Sequence, residues 1–215
     1  MTFAIVKVLP EANVTATDLN QAMIDVAKVK PGLSKVKWQA CDAMQLPFKD
    51  GAFDLVATQF GAMFFPDKVT AYREVRRVLR QRGHYVFNVW DSIETTPPDL
   101  VFLDALKKLF PDDPPTFLRR IPHGYYDRTE IERTLLEAGF TTVSHRAVNL
   151  SCHAASAMHL ATALCQGTPM RSEIEARAPQ GLEEITGEVS KAMAARFGHG
   201  AINSTMQAIV FTAVS

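Results

Sequence analysis

The chain lacks an excess of charge of either sign. Lysine plus arginine and aspartate plus glutamate stand at 23 each over 215 residues. No global field therefore draws in phosphate backbones or anionic lipid, and neither nucleic acid nor a membrane is expected as a partner. A long hydrophobic run is missing too, since no stretch approaches the roughly 18 apolar residues of a membrane-spanning helix. The N-terminal MTFAIVKVLPEAN carries Lys7 inside its apolar run and has no small-residue cleavage site, so it reads as neither a signal peptide nor an anchor. Cysteine is scarce. Cys41, Cys152 and Cys165 are odd in number and widely spaced, with no CxxC and no histidine at metal-ligand intervals. That pattern excludes a disulfide framework and predicts a reduced, cytoplasmic protein with no metal site. Glycine is absent before Gly32, a gap that matters below.

What is present is ordinary for a globular domain: 47% apolar and 21% charged residues over a length that suits one domain with a real core. VTATDLNQAM, Val14 to Met23, reads as a β-branched strand running into an amphipathic helix. Asn20 can cap that helix and Pro31-Gly32 end it. VKWQA (36–40) alternates like a strand, and FDLVAT (53–58) has the unbroken apolar run of a strand buried on both faces. Residues 67–80 place Val69, Tyr72, Val75, Val78 and Leu79 at helical intervals ahead of the strand HYVFNVW. This alternation predicts an α/β fold, a doubly wound, mostly parallel sheet with right-handed crossovers.

The rhythm breaks over 92–122, where six of the twelve prolines surround one apolar helix, VFLDALKKLF. A helix over 129–138 and a strand from Phe140 to about Leu150 follow. A helical section spans 153–197, and MQAIVFTAV makes a last strand. Two late strands around a helical insertion predict an antiparallel hairpin at one sheet edge, with helical lid insertions beside it.

Asp18 stands at the carboxyl end of the first strand. After it come Asp42, Ala43, Leu46, Pro47, Phe48, Asp50, Phe53 and Asp54 in the pattern D-A-x-x-L-P-F-x-D-x-x-F-D, and then YREVRRVLR, Tyr72 to Arg80. These motifs resemble class I S-adenosylmethionine-dependent methyltransferases, and most nearly the UbiE-like group with a type 11 domain. The resemblance is dense over residues 12–91 and matches only in element order beyond. It implies a single domain over 1–215, with 1–91 as the cofactor-binding half and 92–128 and 151–200 as lid or substrate insertions.

The resemblance also implies roles. Asp18 would accept both ribose hydroxyls of S-adenosylmethionine, a task suited to a carboxylate, which carries acceptors and no donor. Asp42 would accept the adenine amino group, while the backbone at Ala43 and Met44 reads the neighbouring ring nitrogen. Leu19 and Met23 would flank the ring, although apolar residues at a helix start are usually core. Gln59 and Phe60 would lie where the backbone passes the methionine part of the cofactor, and Gly61 would permit close approach.

Methyl transfer needs acceptor, methyl and sulfur in line, and it requires neither a covalent nucleophile nor a metal. His123, beside Tyr125 and Tyr126 in IPHGYYD, is the candidate general base. The apolar residues Val101, Phe102, Leu103, Leu106, Phe110 and Phe117 suit either the inner face of a lid over a small-molecule methyl acceptor or burial against the sheet. The basic run Arg73, Arg76, Arg77, Arg80 and Arg82, with Glu74, reads as a solvated helix face without a function.

Two rivals stand beside this reading. A nicotinamide-dependent oxidoreductase also carries an acid after its second strand, but it does not predict the D-A-x-x-L-P-F loop. A non-catalytic methyltransferase-like interaction module is the other. In the family's sheet order, 3-2-1-4-5-7-6, the first strand and its glycine-rich loop should precede a helix whose tail MTFAIVKVLPEAN resembles. The expectation is therefore a sheet without its central strand and a crippled cofactor site, in a chain that starts late relative to an active parent; natural truncation and decay stay open beside it. A homodimer in which another copy lends a strand is one arrangement that would fill the slot.

Overall fold

The computed structural model describes residues 1–179 and 181–215. Its first half runs α1 (Thr2–Val8), β1 (Thr15–Asp18), α2 (Gln21–Lys28), β2 (Lys37–Ala40), β3 (Phe53–Gln59), α3 (Lys68–Val78) and β4 (Leu79–Trp90). The second half runs α4 (Pro97–Leu109), α5 (Phe117–Arg120), α6 (Arg128–Glu137), β5 (Thr142–Ala154), α7 (Ala157–Gln166), α8 (Met170–Arg177), α9 (Leu182–Phe197) and β6 (Ile202–Val214).

Local chemistry sets the boundaries. Asn20 caps α2 by accepting from Ala22 N, Asp67 caps α3 through Thr70 N, and Asp127 caps α6 through Thr129 and Glu130 N. Helix α4 starts four residues before the apolar run at 101, because Pro97 and Pro98 fit the first turn, where no backbone donor is needed. Gly139, at φ +96°, ends α6 in a conformation that other residues resist.

Strands β1 and β2 pair in parallel, with Asp18 opposite Ala40. A second sheet has the order β3-β4-β6-β5; β3 and β4 are parallel, while β6 runs antiparallel to both neighbours. This is the expected mostly parallel α/β sheet with an antiparallel edge. In the family order the two pieces are 3-2 and 4-5-7-6, so the break falls where strand 1 would stand. Among the described residues no strand pairs with the free edge of β1 or of β3.

That break corrects one expectation. FDLVAT was to be buried on both faces, yet Leu55 is 43% exposed. Strand β3 lies at the edge of its sheet, and Leu55 lacks the neighbours that a central strand provides. The first forty residues bury only Ile24, Leu33 and Val36 among their large side chains, leaving Phe3 and Val8 of α1 and Val26 of α2 exposed.

The main core lies between the second sheet and the helices α3 and α6, built from Tyr72, Tyr85, Phe87, Ile131, Leu135 and Phe211. A second core joins α4 to α7, α8 and α9 through Phe102, Leu106, Leu160, Ile174, Val189 and Met193. Phe102 and Leu106 are fully buried there, so the apolar face of α4 is spent on helix packing. Each such side chain contributes about 1.5–3 kcal/mol.

Candidate functional site

The parallel strands bring their carboxyl ends to one edge, where ligands bind in open α/β sheets. At the first sheet, β1 ends on Asp18, and the Cys41 backbone N–H donates to the Asp18 carbonyl oxygen at 3.1 Å, which ties the ends of β1 and β2 together. One oxygen of Asp18 accepts from Asn20 N at 2.8 Å, and one of Asp42 accepts from Met44 N at 2.8 Å. Among the described residues neither carboxylate makes a further hydrogen bond, so each keeps an oxygen for a ligand. Leu19 is 75% and Met23 57% exposed, so these two are not core and are available to flank a flat ring. Burial, with Asp42 beside it, pushes the Cys41 thiol up, away from nucleophile chemistry.

A clamp that the sequence reading passed over holds the loop after Asp42. Glu74 accepts from Leu46 N at 2.8 Å. Arg77 donates to the carbonyl oxygens of Leu46 and Phe48, to Asp50 and to Glu74. The two motifs D-A-x-x-L-P-F and REVRRVLR are thus one structural unit, and Arg77 leaves the solvated face on which the sequence reading placed it. A cleft of about 610 Å³ lined by Arg73, Arg76 and Arg77 lies at the amino ends of β3 and β4, opposite the carboxyl edge. Arg76 is turned there to the Gly139 carbonyl oxygen at 2.6 Å, and the cleft belongs to the basic face, away from the candidate site.

At the second sheet, Gln59 ends β3 exposed, and Phe60 follows it in the left-handed region at φ 49°. Its backbone N–H lies 3.2 Å from both the carbonyl oxygen and the side-chain oxygen of Asn88, and its ring stacks on Trp90 at 4.0 Å between centroids. Gly61 keeps φ −111°. Its glycine serves space, since a Cβ there would come within 3.0 Å of Thr58. Asn88 and Trp90 escaped the sequence reading because both sit in what scans as a plain strand, HYVFNVW.

His123 is buried, 3% exposed, and its ring lies 6.2 Å from that of Trp90. Its Nδ1 is 2.7 Å from the Asp91 carbonyl oxygen and its Nε2 is 2.9 Å from the Asp99 carboxylate. The Asp91 carboxylate accepts from Arg128 at 2.6 Å, so a buried polar network fastens loop 121–128 and the start of α4 to the end of β4. Tyr125 is buried with its hydroxyl 3.3 Å from that of Tyr72, and burial pushes its phenol up; Tyr126 is exposed.

Asp18 and Asp42 therefore stand at the ends of paired strands, and the rings of Phe60 and His123 lie 4.0 Å and 6.2 Å from that of Trp90. The residues fit the nucleoside half of S-adenosylmethionine, with two acceptor carboxylates and exposed apolar flanks. Residues 1–14, ahead of β1, hold no glycine. Among the described residues no cluster of three or more histidine, cysteine or acidic side chains could hold a metal ion.

Fold and site define an open α/β nucleotide-type domain with its ligand edge at the strand carboxyl ends. A methyltransferase domain model matches residues 2–87. A demethylmenaquinone methyltransferase of Staphylococcus aureus (strain JH9) is 32% identical, over 70% of this chain and 66% of the relative. The chain belongs to this S-adenosylmethionine-dependent methyltransferase family. It spans 66% of the length of the curated relative. The fold is shared with the YcgJ protein of Bacillus subtilis (TM-score 0.57, 20% identity, covering 96% of this chain and 84% of the other). It is also shared with a Haemonchus contortus phosphoethanolamine N-methyltransferase in complex with phosphomonomethylethanolamine and S-adenosylhomocysteine (TM-score 0.56, 17% identity, covering 98% and 45%).

Proposed function

We propose that the protein transfers a methyl group from S-adenosylmethionine to a small-molecule acceptor by in-line displacement. The observation that carries this is the pair Asp18 and Asp42, at adjacent strand ends with one free oxygen each. When bound, the cofactor supplies an electrophilic methyl on its sulfonium. Asp18 holds the ribose hydroxyls; Asp42, with the backbone at Ala43 and Met44, holds the adenine edge; Leu19 and Met23 cover its faces. Gln59 and Phe60, at the end of β3, border the methionine side. Positioning of this kind contributes about 7–11 kcal/mol to such displacements.

His123 keeps a place in this proposal. It can take a proton only when the Nε2 contact to Asp99 opens, and with that contact closed it fixes the end of β4 beside Trp90. The segments 92–128 and 151–200 are proposed as the lids that choose the acceptor. The name of the Staphylococcus aureus relative supports a small molecule as that acceptor. Among the described residues no helix is long and apolar enough to cross a membrane, and a cytoplasmic location is proposed.

A second reading, a methyltransferase-like interaction module, is favoured by the free edges of β1 and β3. Competition binding separates the readings: labelled S-adenosylmethionine should be retained and displaced by S-adenosylhomocysteine but not by NAD. A folded chain that retains no label selects the module, and displacement by NAD selects an oxidoreductase.

A further inference from the structure

The zero net charge of the chain conceals a local excess, since residues 73–82 hold five arginines against one acid, Glu74. Arg73, Arg76 and Arg77 line the cleft of about 610 Å³ at the amino ends of β3 and β4, a volume in the range of small-molecule sites. Their spacing on α3 sets the three side chains on one helix face.

The acids nearby leave positive charge over. Arg77 is spent on Glu74, Asp50 and the loop carbonyl oxygens. Glu137 lies 3.4 Å from Arg133 and only 3.9 Å from Arg73. Arg76 has no carboxylate partner among the described residues, and its hydrogen bond there is the 2.6 Å donation from Nε to the Gly139 carbonyl oxygen. Capping the end of α6 explains that bond. It leaves the N–H donors of both Nη groups unused. Arg82, next to the cleft-lining Gln81, is held in the left-handed region at φ 62° and also pairs with no acid among the described residues.

The Arg76 guanidinium is fixed as well as unpaired. Gly139 has no side chain at the point where a Cβ would come within 3.1 Å of Arg76 Nε and 3.2 Å of its Cδ, so the arginine lies directly against the turn that ends α6. A held, planar fork with unused donors matches phosphate oxygens bidentately, and little rotamer freedom is lost when the anion arrives.

We propose that this cleft binds the phosphate or diphosphate group of a soluble small molecule, with Arg73 and Arg76 as the residues that contact it and Gly139 as the residue that positions Arg76. The site lies at the opposite end of the strands from Asp18 and Asp42, and it does not rest on the methyl-transfer reading.

Calorimetric titration of the full chain with inorganic pyrophosphate, at an ionic strength held constant with sodium chloride, should give one saturable site with a submillimolar Kd. Arg76→Gln should weaken binding about tenfold, the loss expected for charge-assisted hydrogen bonds, and Arg73→Gln should weaken it too. Arg171→Gln removes the same charge from an exposed position on α8 and should change nothing. Gly139→Ala keeps every charge, and Arg76→Lys keeps the charge without the fork; both should bind more weakly than the parent. Thermal unfolding without ligand checks that each variant is folded. Saturating S-adenosylhomocysteine should leave pyrophosphate bound.

Heat that does not saturate, or equal losses in Arg76→Gln and Arg171→Gln, overturns the site. Binding at the parent level by Arg76→Lys or by Gly139→Ala overturns the held fork. Pyrophosphate that S-adenosylhomocysteine displaces lies at the cofactor edge and overturns the location. Sedimentation of the chain with vesicles carrying phosphatidic acid, without binding of pyrophosphate, assigns the arginines to a lipid headgroup and overturns the soluble ligand.

Discussion

Arg77, on α3, donates through Nη2 to the carbonyl oxygen of Leu46 at 2.8 Å, across 31 residues of sequence. The same guanidinium reaches the Phe48 carbonyl oxygen and the Glu74 carboxylate, so the helix holds the loop that begins at Asp42. Arg77→Met removes these bonds and leaves the partner groups of the loop unmet. It should destabilise the protein by about 2 kcal/mol. In a chain of this size, that lowers the midpoint of thermal unfolding by roughly 4–8 °C.

Glu74 makes the clamp sensitive to acid. The hydrogen bond from Arg77 lowers its carboxyl below the ordinary 4.5 and the Leu46 N–H lowers it further, while partial burial opposes them. Because the folded value lies below the unfolded one, this contribution is fully present above about pH 4.5 and is lost as pH falls through the folded value. Denaturant titrations across pH should therefore find Glu74→Gln less stable than the parent at neutral pH. The difference should shrink below about pH 4.5.

The two sheets predict unequal mutational costs. Leu55→Ala, at the exposed edge, should cost under about 1 kcal/mol, whereas Phe87→Ala in the buried core should cost about 3–5 kcal/mol. Chemical denaturation of both variants measures this directly. Hydrogen exchange should show the β1 amides opening well before those of β4 and β6, since few apolar side chains are buried around β1.

The element order was legible because periodicity and capping chemistry are local. Asn20 caps α2 at the position where composition calls for it, and the runs at 84–90 and 206–214 lie within observed strands. Asp18 stood out as a carboxylate at a strand end, and Asp42 through the D-A-x-x-L-P-F pattern on which the family resemblance rests. Pairings across distance were not. Nothing adjacent to Asn88 in sequence announces that it holds Phe60, 28 residues earlier, and Arg77 looked like one more solvated arginine until its partners in the loop were in view. The exposure of Leu55 depends on which strand lies beside β3, a property of the sheet that the run FDLVAT does not carry.

His123 bridges two segments, and its loss should loosen both. His123→Ala leaves the Asp99 carboxylate without its hydrogen-bond partner in a largely buried setting, a defect of about 1–3 kcal/mol. Limited proteolysis should cut within 110–128 faster in the variant, while cleavage in the β5–β6 hairpin stays at the parent rate.

The central claim is that Asp18 holds the ribose of S-adenosylmethionine. Its most direct test is a double-mutant cycle by calorimetry, in which the parent chain and Asp18→Ala each bind S-adenosylhomocysteine and its 2′-deoxy analogue. A charge-assisted hydrogen bond predicts that either change alone weakens binding about ten- to hundredfold, and that removing the 2′ hydroxyl weakens it little further once Asp18 is alanine. Losses that simply multiply, or an Asp18→Ala chain that binds the full nucleoside as tightly as the parent, would contradict it.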